Sequence, residues 1–292
     1  MIVNAANLLT LTTGFSAIFN KGMREAKPQW QNVATLVPSN TKSQEYGFLG
    51  SFVTIKEWID ERHATAMEQH GYTIKNKRFA GTVNVKRDDI EDDQFGVYRP
   101  VMEELGLAVA IHPDQLVFDL MKGGQTGLCY DGLPFFSASH PVGKGVVSNL
   151  TAGAQPMWIV MDTTRALKPF IYQERKKFQL VIKNAETDDT VFNQGIFQYG
   201  VDGRYNAGYG FWQMAHACTD VLDADAFKAV RARMVALKSD TGNPLYIKPN
   251  LIVVGPSNQS AAEEIFLANQ NASGATNTLY KAVEVLVSPF LD

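Results

Sequence analysis

Cysteine is scarce in this 292-residue chain: Cys129 and Cys218 are the two present, far apart and neither in a CxxC pair. That excludes a disulfide framework and a thiolate zinc cluster, and leads to the expectation of two reduced, buried thiols. A basic surplus is also missing, since 27 Lys and Arg stand against 30 Asp and Glu, a formal charge of −3. Proteins that grip nucleic acid through its backbone carry a basic stripe and a high pI, so this one is expected at most to lie beside nucleic acid. No apolar run approaches the ~20 residues of a membrane span. The start, MIVNAANLLTLTTGFSAIFNKG, has no charged region leading into an apolar core and a small-residue cleavage site. The expectation is a soluble, non-exported protein.

Catalytic signatures are equally sparse. None of the five histidines, His63, His70, His112, His140 and His216, makes an HxxxH or HExxH pair, so metal ligation is unsupported. YGVDGRYNAGYGFW is dense in glycine but matches neither GxxxxGK[ST] nor a strand-led GxGxxG, and glycine between aromatics marks bends and close backbone approach in a sheet. DGLPFFSASHPV, 131–142, gathers Asp, two Ser and His within twelve residues. Its serines lack the GxSxG frame of a nucleophile elbow, and members of a triad meet in space rather than in sequence. Asp-Gly, then Pro, then two aromatics reads as a turn anchored by Phe135 and Phe136. RDDIEDD, 87–93, has no EF-hand spacing and reads as acids placed before a helix, where they favour its free N–H groups. No catalytic, cofactor-binding or metal residue is assigned.

What is present is an ordinary globular composition, 45% hydrophobic and 20% charged, in a chain long enough for one or two cores. Residues 1 to about 40 read as an arm with one short amphipathic stretch, Phe15 to Met23, that packs on something else. EYGFLGSFVTIKEW and GYTIKNKRFAGTVNV read as long strands of an extended hairpin, with a parity switch near Arg78 that suggests a bulge. The longest helix is expected at about 94–122, with Val97, Val101, Leu105, Ala108, Ile111, Leu116 and Leu120 near helical period and a kink at His112–Pro113. A small-residue linker follows near residue 150. Next come a strand at KPFIYQERKKFQLVIKN and a helix capped by Asp223 with Phe227, Val230, Met234 and Leu237 on one face. LIVVG reads as a buried strand, and a further helix starts between Ser257 and Ser260, where Ser260 and Glu263 have capping-box spacing. LYKAVEVLVSPFLD closes the chain as a strand. The arm and the hairpin bury themselves poorly alone, which suggests a fold completed by neighbours.

Four stretches carry a family resemblance: LTTGFSAIFNKG with PQWQ behind it, HGYTIKNKRFAGTVNVKRDDIEDDQFGVY, HPDQLVF through CYDGLPFFSASHPV, and GRYNAGYGFWQMA. They span nearly the whole chain in order, and the sequence resembles the Mu-like prophage major head subunit family. The resemblance implies an α+β chain with the Hong Kong 97 phage capsid fold. It implies an N-terminal arm at 1–42, an extended E-loop hairpin at 43–86 lying over an adjacent subunit, and a P domain at 87–154 around the spine helix. An A domain at 155–275 and a return strand to the P domain at 276–292 complete it. Trp58, Arg62, Ala64 and Glu68 are the intersubunit contacts it suggests at the hairpin tip. The implied function is that of a major capsid protein, with no enzymatic role and no cofactor, assembling as pentamers and hexamers into an icosahedral shell around double-stranded DNA. Its implied partners are its own copies, a portal, decoration proteins, and a scaffold and maturation protease that are separate proteins, because the chain opens directly in the arm. The implied location is the virion capsid, and the host cytoplasm during assembly. An encapsulin-like compartment, sharing the fold but holding protein cargo, and a Ser/His hydrolase are the alternative readings.

Overall fold

The structure is a computed structural model that describes residues 5–47, 49, 71–92, 94–270 and 274–292. In chain order it runs through α1 (Ala5–Glu25), α2 (Trp30–Val33), β1 (Ala34–Pro38), β2 (Ser43–Glu45), β3 (Thr73–Lys75), β4 (Lys77–Lys86), α3 (Arg87–Glu91) and α4 (Arg99–Lys122). It continues through β5 (His140–Val142), β6 (Gly145–Val147), β7 (Leu150–Thr151), β8 (Trp158–Met161), β9 (Phe170–Lys183), α5 (Asp189–Gln194) and β10 (Ile196–Tyr209). The last part holds β11 (Ala215–Cys218), α6 (Ala224–Val235), β12 (Leu251–Val254), α7 (Gln259–Phe266) and β13 (Glu284–Val287). No helix among the described residues is long and apolar enough to cross a membrane.

Helix α4 is about 36 Å long at 1.5 Å per residue and organises one half of the molecule. It starts at Arg99, later than the expected 94, because residues 94–98 wind as a 3-10 turn and Pro100 sits in the first helical turn, where its missing N–H costs nothing. The helix continues unbroken through Pro113, so proline interrupts the hydrogen bonding but not the element. Its buried face is Met102, Gly106, Val109, Pro113, Asp114, Val117, Phe118 and Met121. The apolar series read from the sequence lies beside this stripe: Val97 and Val101 are exposed. The true stripe was hidden because two of its members, Gly106 and Asp114, are not hydrophobic.

Both have structural reasons to be there. A Cβ on Gly106 would overlap the carbonyl of Phe19, and one on Gly22 would overlap that of Glu103. The two glycines face each other where α1 crosses α4, so the backbones touch. Helix α1 is thus 21 residues of the arm, not a short stretch, and Phe15 and Phe19 are buried against this chain's own α4 and β10 rather than against another subunit. Phe15 meets Tyr199 edge-on at 5.0 Å. Asp114 accepts hydrogen bonds from the backbone N–H groups of Gln29 (2.9 Å) and Trp30 (2.7 Å), fastening the arm's second turn to the spine.

A four-stranded sheet, β1-β9-β10-β4, lays one face on α1 and α4. Phe79, Gly81, Val83 and Val85 alternate toward that core, with Ala80, Thr82 and Asn84 between them facing out. The parity switch expected near Arg78 is found there: Ile74 and Asn76 are buried, Lys77 and Arg78 are both exposed, and the inward set resumes at Phe79, while the strand itself breaks at Asn76, which separates β3 from β4. Asn76 donates to Ser39 Oγ (3.1 Å) and the Thr41 carbonyl (2.9 Å) and accepts from Gln173 Nε2 (2.9 Å). The hairpin read at 43–86 is therefore paired at its base alone among the described residues, β2 with β3, while β4 leaves it to join β10.

The five-stranded sheet, β13-β12-β8-β11-β7, forms the other half. Its central strands are apolar without alternation because both faces are covered. Ile159, Met161, Leu251 and Val253 face the core shared with α4, and Trp158, Val160, Ile252 and Val254 face α6 and α7. Asp223 caps α6 by accepting from the N–H groups of Asp225 (2.9 Å) and Ala226 (2.8 Å), and Phe227, Val230, Met234 and Leu237 are buried as expected. The Ser260–Glu263 capping box does not form, because α7 begins at Gln259, whose side chain donates to Glu263 (2.8 Å). The small-residue linker is partly strand, since β7 pairs with β11. Strands β9 and β10 lie within the sequence-based 155–275 segment yet pair with β1 and β4, and β13 pairs with β12. The last residues do reach the spine: Leu291 is buried in the core that holds Met121, and Lys122 donates to the Asp292 carbonyl.

Candidate functional site

The loop after α4 holds the densest group of chemically versatile side chains among the described residues. Gly124, just past the helix, has no side chain because the Phe136 ring occupies the space a Cβ would need. Phe135 N–H donates to Gly127 O (2.9 Å) and Phe136 N–H to Gly124 O (2.8 Å), so the loop folds back on the helix end. Phe135 stacks on Tyr209 at 4.7 Å and meets Phe136 edge-on at 4.9 Å, and both phenylalanines are buried. Gly132 has φ +77°, the left-handed value its tight turn requires. Asn149 ties the far end, accepting from Ser137 N–H and donating to Phe135 O, each at 2.8 Å.

His140 is buried at the centre, stacked on Trp212 at 4.0 Å with ring planes 7° apart. Its Nδ1 lies 2.6 Å from Asp131 Oδ2 and its Nε2 3.3 Å from the Phe135 carbonyl. Asp131 Oδ1 accepts from Leu133 N–H (3.0 Å) and from the Cys129 thiol (3.1 Å). Burial alone would push the Asp131 carboxyl up, but hydrogen bonds from His140 and Cys129 hold it below its ordinary value. Ser137 Oγ accepts from Ser139 N–H (3.2 Å), and among the described residues no hydrogen bond joins either serine to His140. The serine–histidine pairing that a hydrolase needs is not assembled.

Cys129, Asp131 and His140 bring their donor atoms within 4.8 Å of one another, so a metal deserves a test. Two ligands at ~2.0–2.1 Å from one tetrahedral zinc sit roughly 3.3 Å apart, whereas the histidine nitrogen and the carboxylate oxygen are at hydrogen-bond distance. Burial, followed by the bond to Asp131, pushes the Cys129 thiol up, away from the thiolate that binds metal. The group fits a closed hydrogen-bonded knot, not an ion site.

The surfaces offer more. The outer face of the four-stranded sheet carries Arg78 on β4, Arg204 on β10 and Lys176 on β9 as direct cross-strand neighbours. Lys176 bonds both oxygens of Asp202 at 2.7 Å, while no ion pair to Arg78 or Arg204 occurs among the described residues. Beside this row, Asn76, Gln173 and Tyr46 form a buried network in which Tyr46 O–H donates to Gln173 Oε1 (2.8 Å), fixing the hairpin base over β9. The four tip residues suggested by sequence, Trp58, Arg62, Ala64 and Glu68, lie outside the described residues. The cationic row went unrecognised in the sequence because its members are 28 to 126 positions apart and only strand pairing aligns them.

Comparison with known proteins agrees with this architecture. The family model for the Mu-like prophage major head subunit gpT matches residues 8–291. The chain is 39% identical to the major capsid protein of Escherichia phage Mu over the whole of both chains. It is 43% identical to the Mu-like prophage FluMu major head subunit of Haemophilus influenzae over 87% of each. Among solved structures, a chain of the bacteriophage JBD30 procapsid superposes with a TM-score of 0.88 at 43% identity, covering 99% of this chain and 100% of that one. The Hong Kong 97 phage capsid fold expected from the resemblance is thus the fold of this protein. An arm helix locked on a spine, a hairpin carried at its base and two sheets sharing one core make up the chain, and it belongs to the Mu-like prophage major head subunit family.

Proposed function

We propose that this chain closes with its own copies, as pentamers and hexamers, into an icosahedral shell that encloses double-stranded DNA, and that it does so without catalysis or a cofactor. The observation that carries this reading is the match in family and fold along nearly the whole chain. The structure supports it in two ways. Among the described residues the cluster with catalytic residue types is internally satisfied, and the hairpin base, β2 with β3, is fixed over β9 by the Tyr46–Gln173–Asn76 network. Many individually weak contacts per subunit then stabilise the assembly through multivalency. A net charge of −3 suits a wall that must not hold packaged DNA tightly.

In this reading the arm is residues 1–42, the hairpin 43–86 is the E-loop, and Trp58, Arg62, Ala64 and Glu68 touch the adjacent subunit. The P domain takes α4 together with the four-stranded sheet, so β9 and β10 belong to it by pairing. The A domain is the five-stranded sheet with α6 and α7. Scaffold and protease act during assembly in the host cytoplasm, and portal and decoration proteins join the shell. The test is nuclease-protected nucleic acid in particles purified from infected or induced cells. DNA filling the shell is expected, and a shell that holds a protein cargo instead would overturn the reading.

A further inference from the structure

The cationic row on the outer sheet face calls for a partner. Like charges directly opposite on one face of a sheet repel and destabilise the pairing, yet Arg204 stands opposite both Arg78 and Lys176. Lys75, Lys77, Arg175 and Lys177 flank the row, and all four are exposed. The other end of the same sheet is acidic. There α3 carries Asp88 and Glu91, Asp92 follows it, and the turn into α5 adds Glu186 and Asp189, all exposed. Arg87 joins the two acidic segments, with its Nε 2.8 Å from Glu91 and its Nη2 3.9 Å from Glu186. Along β4 the two ends lie about 26 Å apart, from Arg78 to Lys86, roughly three times the Debye length of ~8 Å at physiological salt. They are too distant to neutralise each other within one subunit.

We infer that the acidic end of one subunit's four-stranded sheet seats against the Lys176–Arg204–Arg78 row of the next copy. The pairing is heterologous, because two different patches meet, and heterologous contacts generate rings when the rotation closes. The occupant is a second copy rather than nucleic acid because the chain itself supplies the complementary carboxylates, at the other end of the same sheet. Lys176 is already bonded to Asp202, so it is the repulsion between Arg78 and Arg204 of a free subunit that is relieved when the neighbour's carboxylates arrive, which biases the sheet toward the assembled state. This inference rests on the shell-forming reading above and names the surface that carries it.

The experiment uses the full chain, with wild type assembled in parallel, and scores closed particles by sedimentation and electron microscopy. Arg78→Gln with Arg204→Gln should cut particle yield about tenfold while leaving the melting temperature of the unassembled subunit unchanged or higher, since internal repulsion is removed. Arg78→Glu with Arg204→Glu should block assembly, and adding Asp88→Lys with Glu186→Lys should restore particles. Charge-removed subunits that assemble like wild type would overturn the inference, as would charge-reversed subunits that fold yet are not rescued by the second pair. If wild type itself formed no particles, the shell-forming reading would fall, a result distinct from either.

Discussion

At the scale of single residues, the informative positions are those whose side chains look out of place. Gly22 and Gly106 are small because two helix backbones meet there. Gly106→Ala should destabilise the subunit by roughly 1–3 kcal/mol or more through overpacking, read as a lower urea midpoint, and an unchanged midpoint would mean the crossing can relax. Asp114→Ala removes a carboxylate that satisfies two backbone N–H groups of the arm. A loss of about 2–3 kcal/mol is expected in the same measurement. His216 gives a pH signature. Burial, with Arg233 adding to it, lowers its value from 6.5 to about 4, and Thr151 Oγ1 lies at hydrogen-bond distance, 2.9 Å, from Nε2. A depressed folded value contributes stability that is complete above the unfolded value of 6.5 and is lost as pH falls through about 4. The shift corresponds to about 3 kcal/mol. Melting temperature should therefore drop between pH 6.5 and 4, and His216→Gln should flatten that drop. An equally steep fall in the variant would assign the pH dependence elsewhere. Asp223 and the Phe227 face of α6 were readable from sequence because capping and helical period are local signals. Gly106 and Asp114 were not, because each is explained by a partner about 85 residues away.

At the scale of elements, long strands and the spine helix could be seen in the chain, while their pairing could not. KPFIYQERKKFQLVIKN reads as a strand and is β9, yet nothing local says that it runs parallel to β1 and antiparallel to β10. The second hairpin run is continuous in sequence but divided at Asn76, whose amide joins a network with Gln173 and Ser39. The acidic run looked like a cap for the spine and instead forms its own short helix, because the chain turns again before Pro100 starts α4. The histidine loop was legible as a turn with aromatic anchors, but His140's role needed the Trp212 stack and the Asp131 bond. Phe135→Ala should cost about 3–5 kcal/mol, as for a large buried aromatic. His140→Ala should lower stability and particle yield without removing any hydrolytic activity. Loss of a measurable esterase or peptidase activity on that substitution would contradict the structural role of the loop.

At the scale of the whole molecule, the chain divides into a rigid body and surfaces left unsatisfied within it. The arm helix is packed on its own spine, so the body is preorganised, and association then orders fewer residues than a wholly flexible arm would require. The charge-separated sheet predicts assembly that weakens as salt rises, because the end-to-end pairing is screened. Light scattering of assembling subunits should show slower growth at 0.5 M than at 0.1 M salt, whereas association driven by apolar burial alone would hold steady or strengthen. Family and global fold were legible from four long motifs in order, while the subunit surfaces were not, since a contact between copies has no periodicity in one chain. The most direct measurement is electron microscopy of the purified chain eluting in the void volume of a gel-filtration column. Closed shells tens of nanometres across with rings of five and six subunits are the expected result. A monomer or dimer that persists when the scaffold is co-expressed would contradict the account.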